Sequence, residues 1–84
     1  MRVDVFLKKT LIIRQRFAAK ELCDNELVKV NGVIAKPSKE IRVGDVIEIE
    51  TIKGIVRYRV LNIPQGNVKK NEVTQYYEDC SNDR

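Results

Sequence analysis

The side chains with the clearest chemical potential in this chain are its cations. Arginine presents a planar fork that matches phosphate oxygens, and lysine supplies a mobile point charge. Of the 84 residues, 16 are lysine or arginine and 12 are acids, and histidine is absent. The candidate phosphate-binding residues are Arg2, Arg14, Arg16 and Lys20, and the patch is widened by Lys29, Lys36 and Lys39. For each of the last three lysines, a solvated role is an equal alternative.

These charges are unevenly distributed along the chain. Residues 1–20 carry six cations and a single acid, Asp4, whereas residues 71–84 carry four acids and one cation. A basic head with an acidic tail favours a polyanionic partner at the head end. The alternative is a solvated charged surface. For Arg2 and Arg16 the alternative role is a structural ion pair with Asp4.

The composition argues against catalysis and metal binding. Histidine is absent, and the two cysteines, Cys23 and Cys80, lie far apart and outside any Cys-x-x-Cys pair. A zinc site needs about four ligands of these types. General acid–base catalysis usually needs a histidine or a poised carboxylate pair. We therefore expect no catalytic residue, no cofactor and no metal, and we expect both thiols to be reduced.

Length and hydropathy predict one small domain, which we expect to be a monomer in the cytoplasm. A chain of 84 residues is long enough for one domain with a modest core. It contains no run of about 18 apolar residues, so no membrane span is expected. The opening MRVDVFLKK lacks the pattern of a secretory signal.

Two helices are predicted at the N-terminal end. Apolar residues at helical spacing indicate a first helix over residues 4–11, and a second is expected over residues 16–24. The inward stripe of the second helix should consist of small and medium side chains, namely Ala18, Ala19, Leu22 and Cys23. Asn25 suits the left-handed conformation just past a helix end, where it is second only to glycine.

A short strand over residues 27–30 should follow the second helix. Asn31-Gly32 then predicts a type I′ turn, because both central positions of that turn need positive φ. Extended structure resumes at Val33, and Gly44-Asp45 marks another turn.

A longer hairpin is predicted beyond that turn. Residues 46–52 and 56–60 alternate between apolar and polar side chains. Arg57 and Arg59 are expected to pair across this hairpin with Glu48 and Glu50. After the hairpin the pattern weakens. Residues 71–80 are expected to dock as a short helix or strand, with their tyrosine pair packed on the sheet in preference to stacking on a base.

The order of two helices and then small strands, together with particular residues, resembles a known family. The resemblance is to the RNA-binding domain named after ribosomal protein S-four, and it covers about residues 1–50. It rests on Arg2-Val3-Asp4 with Phe6-Leu7, Arg16-x-x-Ala19 with Leu22, Val28-x-Val30-Asn31-Gly32, Lys36-Pro37-Ser38 and Val43-Gly44-Asp45. The family pattern has glycine where this chain has Asn25. Many members have a basic residue where it has Glu26, a departure that weakens one backbone contact.

This resemblance implies an α+β fold, in which two N-terminal helices pack on a small antiparallel sheet (the αL RNA-binding motif) and a short C-terminal tail follows. The implied division is an RNA-binding domain over residues 1–64 and a tail over residues 65–84 that is partly ordered at best. The cations named above then become RNA contacts, because RNA helices are recognised mainly by shape, phosphate and 2′-hydroxyl.

Free-standing chains of this size are similar to the RqcP family of bacterial ribosome-associated quality control factors and to the related ribosome-binding heat-shock protein. That similarity implies a non-catalytic factor that contacts large-subunit rRNA and peptidyl-tRNA. It also implies support for template-free tailing of stalled nascent chains, together with the tailing factor of the same pathway. The alternatives are an rRNA-binding heat-shock or ribosome-assembly factor, and an RNA-presenting accessory subunit of a separate RNA-modifying enzyme.

Overall fold

The computed structural model describes residues 1–81, apart from the side chain of Arg16. Residues 82–84 of the predicted tail lie outside this part. The elements in chain order are α1 (Val3–Lys9), α2 (Arg16–Asp24), β1 (Val28–Val30), β2 (Val33–Ile34), β3 (Val46–Thr51), β4 (Gly54–Val60), a 3₁₀-helix (Lys70–Gln75) and β5 (Tyr77–Asp79). Within residues 1–81 the strands form one antiparallel sheet in the order β2-β1-β3-β4-β5. The predicted α+β class is confirmed.

Helix α1 buries one apolar face against the sheet and the second helix. Val3, Phe6 and Leu7 are completely buried at helical spacing. Asp4 lies in the first turn and lysines lie in the last turn, which is the favourable polarity for the helix dipole. The helix ends at Lys9, before the predicted end, because Leu11 adopts a left-handed φ of 62°.

Helix α2 has the predicted bounds, but its buried row is narrower than expected. Ala19 and Cys23 are 0% and 3% exposed, whereas Ala18 and Leu22 are only half-buried. Small side chains at the two buried positions allow α2 to approach α1 closely. The other face of α2 is therefore free to present polar side chains to solvent.

The end of α2 corrects one expectation. The left-handed residue is Glu26, with φ of 63°, whereas Asn25 has an ordinary φ of −89°. The N–H of Glu26 donates to the carbonyl of Cys23, and the N–H of Leu27 donates to that of Leu22, both at 3.0 Å. These two bonds form a Schellman motif, and they place the left-handed position one residue later than the sequence suggested.

The tight turn between β1 and β2 is confirmed. Asn31 and Gly32 have φ of 52° and 83°, so both central positions are left-handed as a type I′ turn requires. The Asn31 side chain also joins the turn to β3, because its amide oxygen accepts from the N–H of Val46 at 3.0 Å. Strand β1 is thereby fixed between β2 and β3.

The inner face of the sheet supplies most of the remaining core. Ile47 and Ile49 of β3 are 0% and 2% exposed. They lie opposite Val30 and Val28 of β1, respectively. The expected inward alternation of β3 is confirmed.

The outer face carries ion pairs, and one differs from the expected pairing. Arg57 contacts Glu48 at 2.9 Å, as predicted. Arg59 pairs with Glu78 of β5. The expected pairing with Glu50 is wrong, because the register places Glu50 opposite Ile55, four residues along β4 from Arg59.

The C-terminal segment docks as both a helix and a strand. Strand β5 pairs with β4, so that Tyr77 lies opposite Val60. The ring of Tyr77 meets Tyr58 edge-on, with centroids 5.3 Å apart and planes at 89°. Tyr76 and Tyr77 both pack against the core, which is the packing role that the sequence favours. The division at residue 64 stays a prediction.

Candidate nucleic-acid interface

A groove on one side of α2 brings together three of the predicted cations. It lies between α2 and residues 34–38 and has a volume of about 520 Å³. Arg2, Lys20 and Lys36 line it from three separate parts of the chain. The rest of the lining is Cys23, Asp24, Glu26, Ile34, Ala35, Pro37 and Ser38.

Backbone hydrogen bonds bring the N-terminal residues next to this loop. The N–H of Val3 donates to the Lys39 carbonyl at 2.8 Å, and the N–H of Asp4 donates to that of Pro37 at 3.3 Å. The terminal ammonium reaches Glu40 at 2.8 Å. Arg2 and Lys36, which are distant in sequence, are therefore held on one rigid rim.

Arg2 is oriented by a buried carboxylate. Its Nε and Nη2 atoms donate to the two carboxylate oxygens of Asp4, each at 3.1 Å. Asp4 is 1% exposed, whereas the Arg2 side chain is 44% exposed. The guanidinium has five N–H donors, so an arginine held in this way can still donate to a phosphate. The ion pair and the predicted RNA contact are therefore compatible.

Lys20 is held by a weaker ion pair. Its ammonium lies 3.3 Å from Asp24, one helical turn away, and both side chains are more than half exposed. Exposed pairs of this spacing contribute only about 0.3–0.5 kcal/mol, so a phosphate can replace the carboxylate at small cost.

Lys36 is exposed at the start of a tight loop. The N–H of Lys39 donates to the Lys36 carbonyl at 3.0 Å, and the N–H of the preceding Ala35 donates to Val28 at 2.9 Å. Among residues 1–81, no carboxylate forms an ion pair with Lys36. Lys36 is thus a cation on a fixed backbone whose charge is not neutralised by a direct contact.

The other predicted cations lie elsewhere. Lys29 projects from the outer face of β1, opposite Glu48, and lines a small hollow that also contains Glu26 and Glu50. Arg14 lines a different cleft, beside the C-terminal segment. The side chain of Arg16 lies outside the described part of the structure, so both its RNA contact and its alternative pair with Asp4 stay predictions.

The same groove contains groups that lower its positive potential. Asp24 and Glu26 supply carboxylates to its wall.

Burial, and then the negative charges of Asp4 and Asp24, raise the pKa of the Cys23 thiol to about 11. That thiol is therefore neutral near pH 7 and is a poor nucleophile.

Lys70 lies beside a predicted RNA contact but is itself absent from the sequence prediction. It lines the cleft that contains Arg14, together with Leu11, Val73 and Tyr77. The signal that could have found it is the Lys69-Lys70 pair at the start of the 3₁₀-helix.

Comparison with family models gives two matches. A model described as the S4 domain matches residues 1–47, which contain both helices, β1, β2 and the groove. A model described as the β-domain of mechanosensitive ion channels matches residues 29–74, where β2, β3 and β4 lie. No helix among the described residues is long and apolar enough to cross a membrane.

Curated relatives extend the likeness over nearly the whole chain. A protein of Helicobacter pylori named RQC P-site tRNA stabilizing factor is 40% identical over 90% of this chain and 92% of its own length. A Streptococcus pneumoniae protein of the same name is 37% identical over all of this chain and 94% of its own length.

Solved structures share the fold. Heat shock protein 15 of Vibrio cholerae, solved as a trimer, superposes with a TM-score of 0.87 over 98% of this chain and 83% of its own, at 23% identity. The solution structure of a hypothetical protein superposes with a TM-score of 0.82 at 36% identity, over 94% of this chain and 95% of its own. The S4-domain model matches the N-terminal half of the chain, and curated relatives match 90–100% of its length. The chain therefore belongs to the S4-domain family of RQC P-site tRNA stabilizing factors, also called RqcP.

Proposed function

We propose that this chain is a non-catalytic RNA-binding factor of the large ribosomal subunit. The observation that carries the proposal is the groove beside α2, where Arg2, Lys20 and Lys36 converge from three parts of the chain. Three cations on a rigid rim fit the closely spaced phosphates of a folded RNA better than they fit a small ligand. Membership of a family named for tRNA stabilisation supports the same assignment.

The residues that we propose as RNA contacts are Arg2, Arg14, Arg16, Lys20, Lys29 and Lys36. Arg2, Lys20 and Lys36 form the centre of the surface, and Arg16 begins the helix that carries Lys20. Lys29 lies among Glu26, Glu48 and Glu50 and therefore contributes least.

The finer proposal concerns the state of the ribosome. The factor binds obstructed large subunits that still hold peptidyl-tRNA and contacts both rRNA and the tRNA. It thereby supports template-free tailing of the stalled nascent chain in the cytoplasm, as a monomer and alongside the tailing factor of the pathway. The relatives' name, which specifies a P-site tRNA, supports this proposal.

Charge reversal in the groove tests the proposal. Lys36→Glu should weaken binding to large subunits carrying peptidyl-tRNA by about tenfold. The slope of log affinity against log salt should become shallower by about 0.7–0.9 for each phosphate that the variant no longer neutralises. The matched control is Lys53→Glu, an exposed lysine in the turn between β3 and β4, which should bind normally. Arg16→Glu and Lys20→Glu should act in the same direction as Lys36→Glu, with Arg16→Glu the stronger of the two.

The melting temperature separates binding from folding. Exposed charge changes usually alter stability by less than about 0.5 kcal/mol, so the variants of the exposed residues Lys20, Lys36 and Lys53 should melt near the wild-type temperature. Arg16→Glu should do the same if Arg16 binds phosphate, and it should melt at a lower temperature if Arg16 is paired with Asp4. Full binding by folded Lys36→Glu and Arg16→Glu proteins would reject the proposed RNA surface. Equal binding to subunits with and without peptidyl-tRNA would favour an assembly or heat-shock role instead.

A further inference from the structure

A second cleft lies between the segment after α1 and the docked C-terminal segment. Its lining is Leu11, Arg14, Lys70, Val73 and Tyr77, and its volume is about 360 Å³. This is within the range of roughly 300–1,000 Å³ that is typical of small-ligand pockets. The cleft shares no lining residue with the groove beside α2.

The positive charge of this cleft is less neutralised by nearby carboxylates than the positive charge of the groove. Two of its five lining residues, Arg14 and Lys70, are cations, and none is an acid. Neither cation forms an ion pair with a carboxylate of residues 1–81, and both side chains are exposed. The groove, by contrast, has Asp24 and Glu26 in its wall. An anionic group is therefore attracted to the cleft without displacing a carboxylate of the described residues.

The remaining walls are apolar and held in place. Tyr77 is fixed by its edge-on contact with Tyr58 and by pairing with Val60. Leu11 is 38% exposed and is held in its left-handed conformation by a hydrogen bond from its N–H to the Lys8 carbonyl at 3.1 Å. Val73 is half-buried and completes the apolar surface from the 3₁₀-helix.

We propose that this cleft binds one unstacked nucleotide of single-stranded RNA. The base packs against Tyr77, Leu11 and Val73, and the adjacent phosphates bind Arg14 and Lys70. A base needs the aromatic and apolar walls, and its phosphates need the two cations, so this ligand uses every residue of the lining. The cleft is a second contact, separate from the groove of the proposed function, and it recognises single strands where the groove recognises folded RNA.

The test uses the full chain, isotope-labelled at methyl groups, titrated with a short single-stranded oligoadenylate and, separately, with a blunt RNA duplex. The oligoadenylate should shift the methyl resonances of Leu11 and Val73, and the duplex should not. Lys70→Glu should weaken oligoadenylate binding about three- to tenfold, whereas Lys70→Arg should retain it. The matched control Lys53→Glu should bind like the wild type.

The outcomes separate this site from the groove. If Lys36→Glu weakens duplex binding while Lys70→Glu leaves oligoadenylate binding unchanged, the second site is refuted and the proposed function stands. If Leu11 and Val73 shift with oligoadenylate while large-subunit binding fails, the site stands without that function. If an acidic peptide shifts Leu11 and Val73 and oligoadenylate does not, the cleft is a protein-binding site and the proposal is wrong.

Discussion

Replacing Glu26 with glycine should stabilise the fold and strengthen RNA binding for two separable reasons. Glu26 is a non-glycine residue with a left-handed φ of 63° at the end of α2. Its side chain also lines the groove that contains Arg2, Lys20 and Lys36. One residue therefore carries both a conformational cost and a charge opposed to phosphate.

The conformational gain can be estimated from the backbone. The left-handed region costs a residue with a Cβ roughly 1–2 kcal/mol. Glycine loses more freedom on folding, by roughly 0.5–1 kcal/mol. The difference between these two ranges is a net gain for Glu26→Gly of about 0–1.5 kcal/mol, centred at about 0.75 kcal/mol. For a domain of 60–100 residues the central value corresponds to a melting temperature higher by about 3–6 °C.

The electrostatic gain is of similar size. A unit charge about 7 Å from a phosphate in water contributes about 0.6 kcal/mol, which is roughly threefold in affinity. Glu26→Gly should show this gain together with the stability gain. Glu26→Gln removes the charge but keeps the left-handed strain, so it should raise RNA affinity at unchanged stability. Added salt should reduce the gain in affinity, because the charge is exposed.

Asn25→Gly is the matched control. Asn25 is the adjacent residue, but its φ of −89° is accessible to any side chain, so glycine should not stabilise the fold there. Thermal denaturation followed by circular dichroism gives the stability of all three variants, and fluorescence anisotropy with an RNA duplex gives the affinity. A gain at Asn25→Gly with none at Glu26→Gly would refute the Schellman assignment. Unchanged affinity in Glu26→Gln would show that the carboxylate does not face bound RNA.

Two further predictions concern the core and the tight turn. Because burial raises the pKa of Cys23 to about 11 from 9.0, the folded protein keeps a thiol proton that the unfolded chain releases. The free energy of unfolding should therefore fall as the pH rises from about 9 to 11. Cys23→Ala should lack the part of this fall that is due to the thiol, and urea denaturation of the two proteins measures the difference. Gly32→Val should lower the melting temperature, because a β-branched residue resists the φ of 83° at that position; a wild-type melting curve would contradict the type I′ assignment.

Local signals predicted the elements best where the physical cause is itself local. The bounds of α2 and the turn at Asn31-Gly32 depend on neighbouring residues, and both predictions are confirmed. The inward alternation of β3 also follows from its own sequence. The left-handed residue after α2 lies one position later than predicted, since the carbonyls of Leu22 and Cys23 accept hydrogen bonds that close the helix around Glu26. That choice is a matter of geometry, and the propensity of asparagine does not determine it.

The candidate site was harder to predict, because it depends on where separate segments meet. The sequence predicts a single patch of candidate cations, but the fold divides five of them among three surfaces. Arg2, Lys20 and Lys36 line the groove, whereas Arg14 lines the second cleft and Lys29 lines the hollow beside β1. The left-handed Leu11 ends α1 early, and Arg14 then lies in the second cleft, beside the C-terminal segment. The register of β1 on β3 places Lys29 opposite Glu48. Neither placement leaves a signal in a short stretch of sequence.

The C-terminal segment changes the electrostatic picture that composition suggests. Its acids would be expected to repel RNA, yet Glu78 is paired with Arg59, and Asp79 accepts a hydrogen bond from the N–H of Ser81 at 2.8 Å. Both acids lie on β5, at the edge of the sheet beyond β4, whereas the groove is lined by α2 and residues 34–38. The same segment places Lys70 beside Arg14. The docked tail therefore adds Lys70 to the cleft that contains Arg14. Glu78, one of the acids of the tail, is neutralised by Arg59 within the sheet.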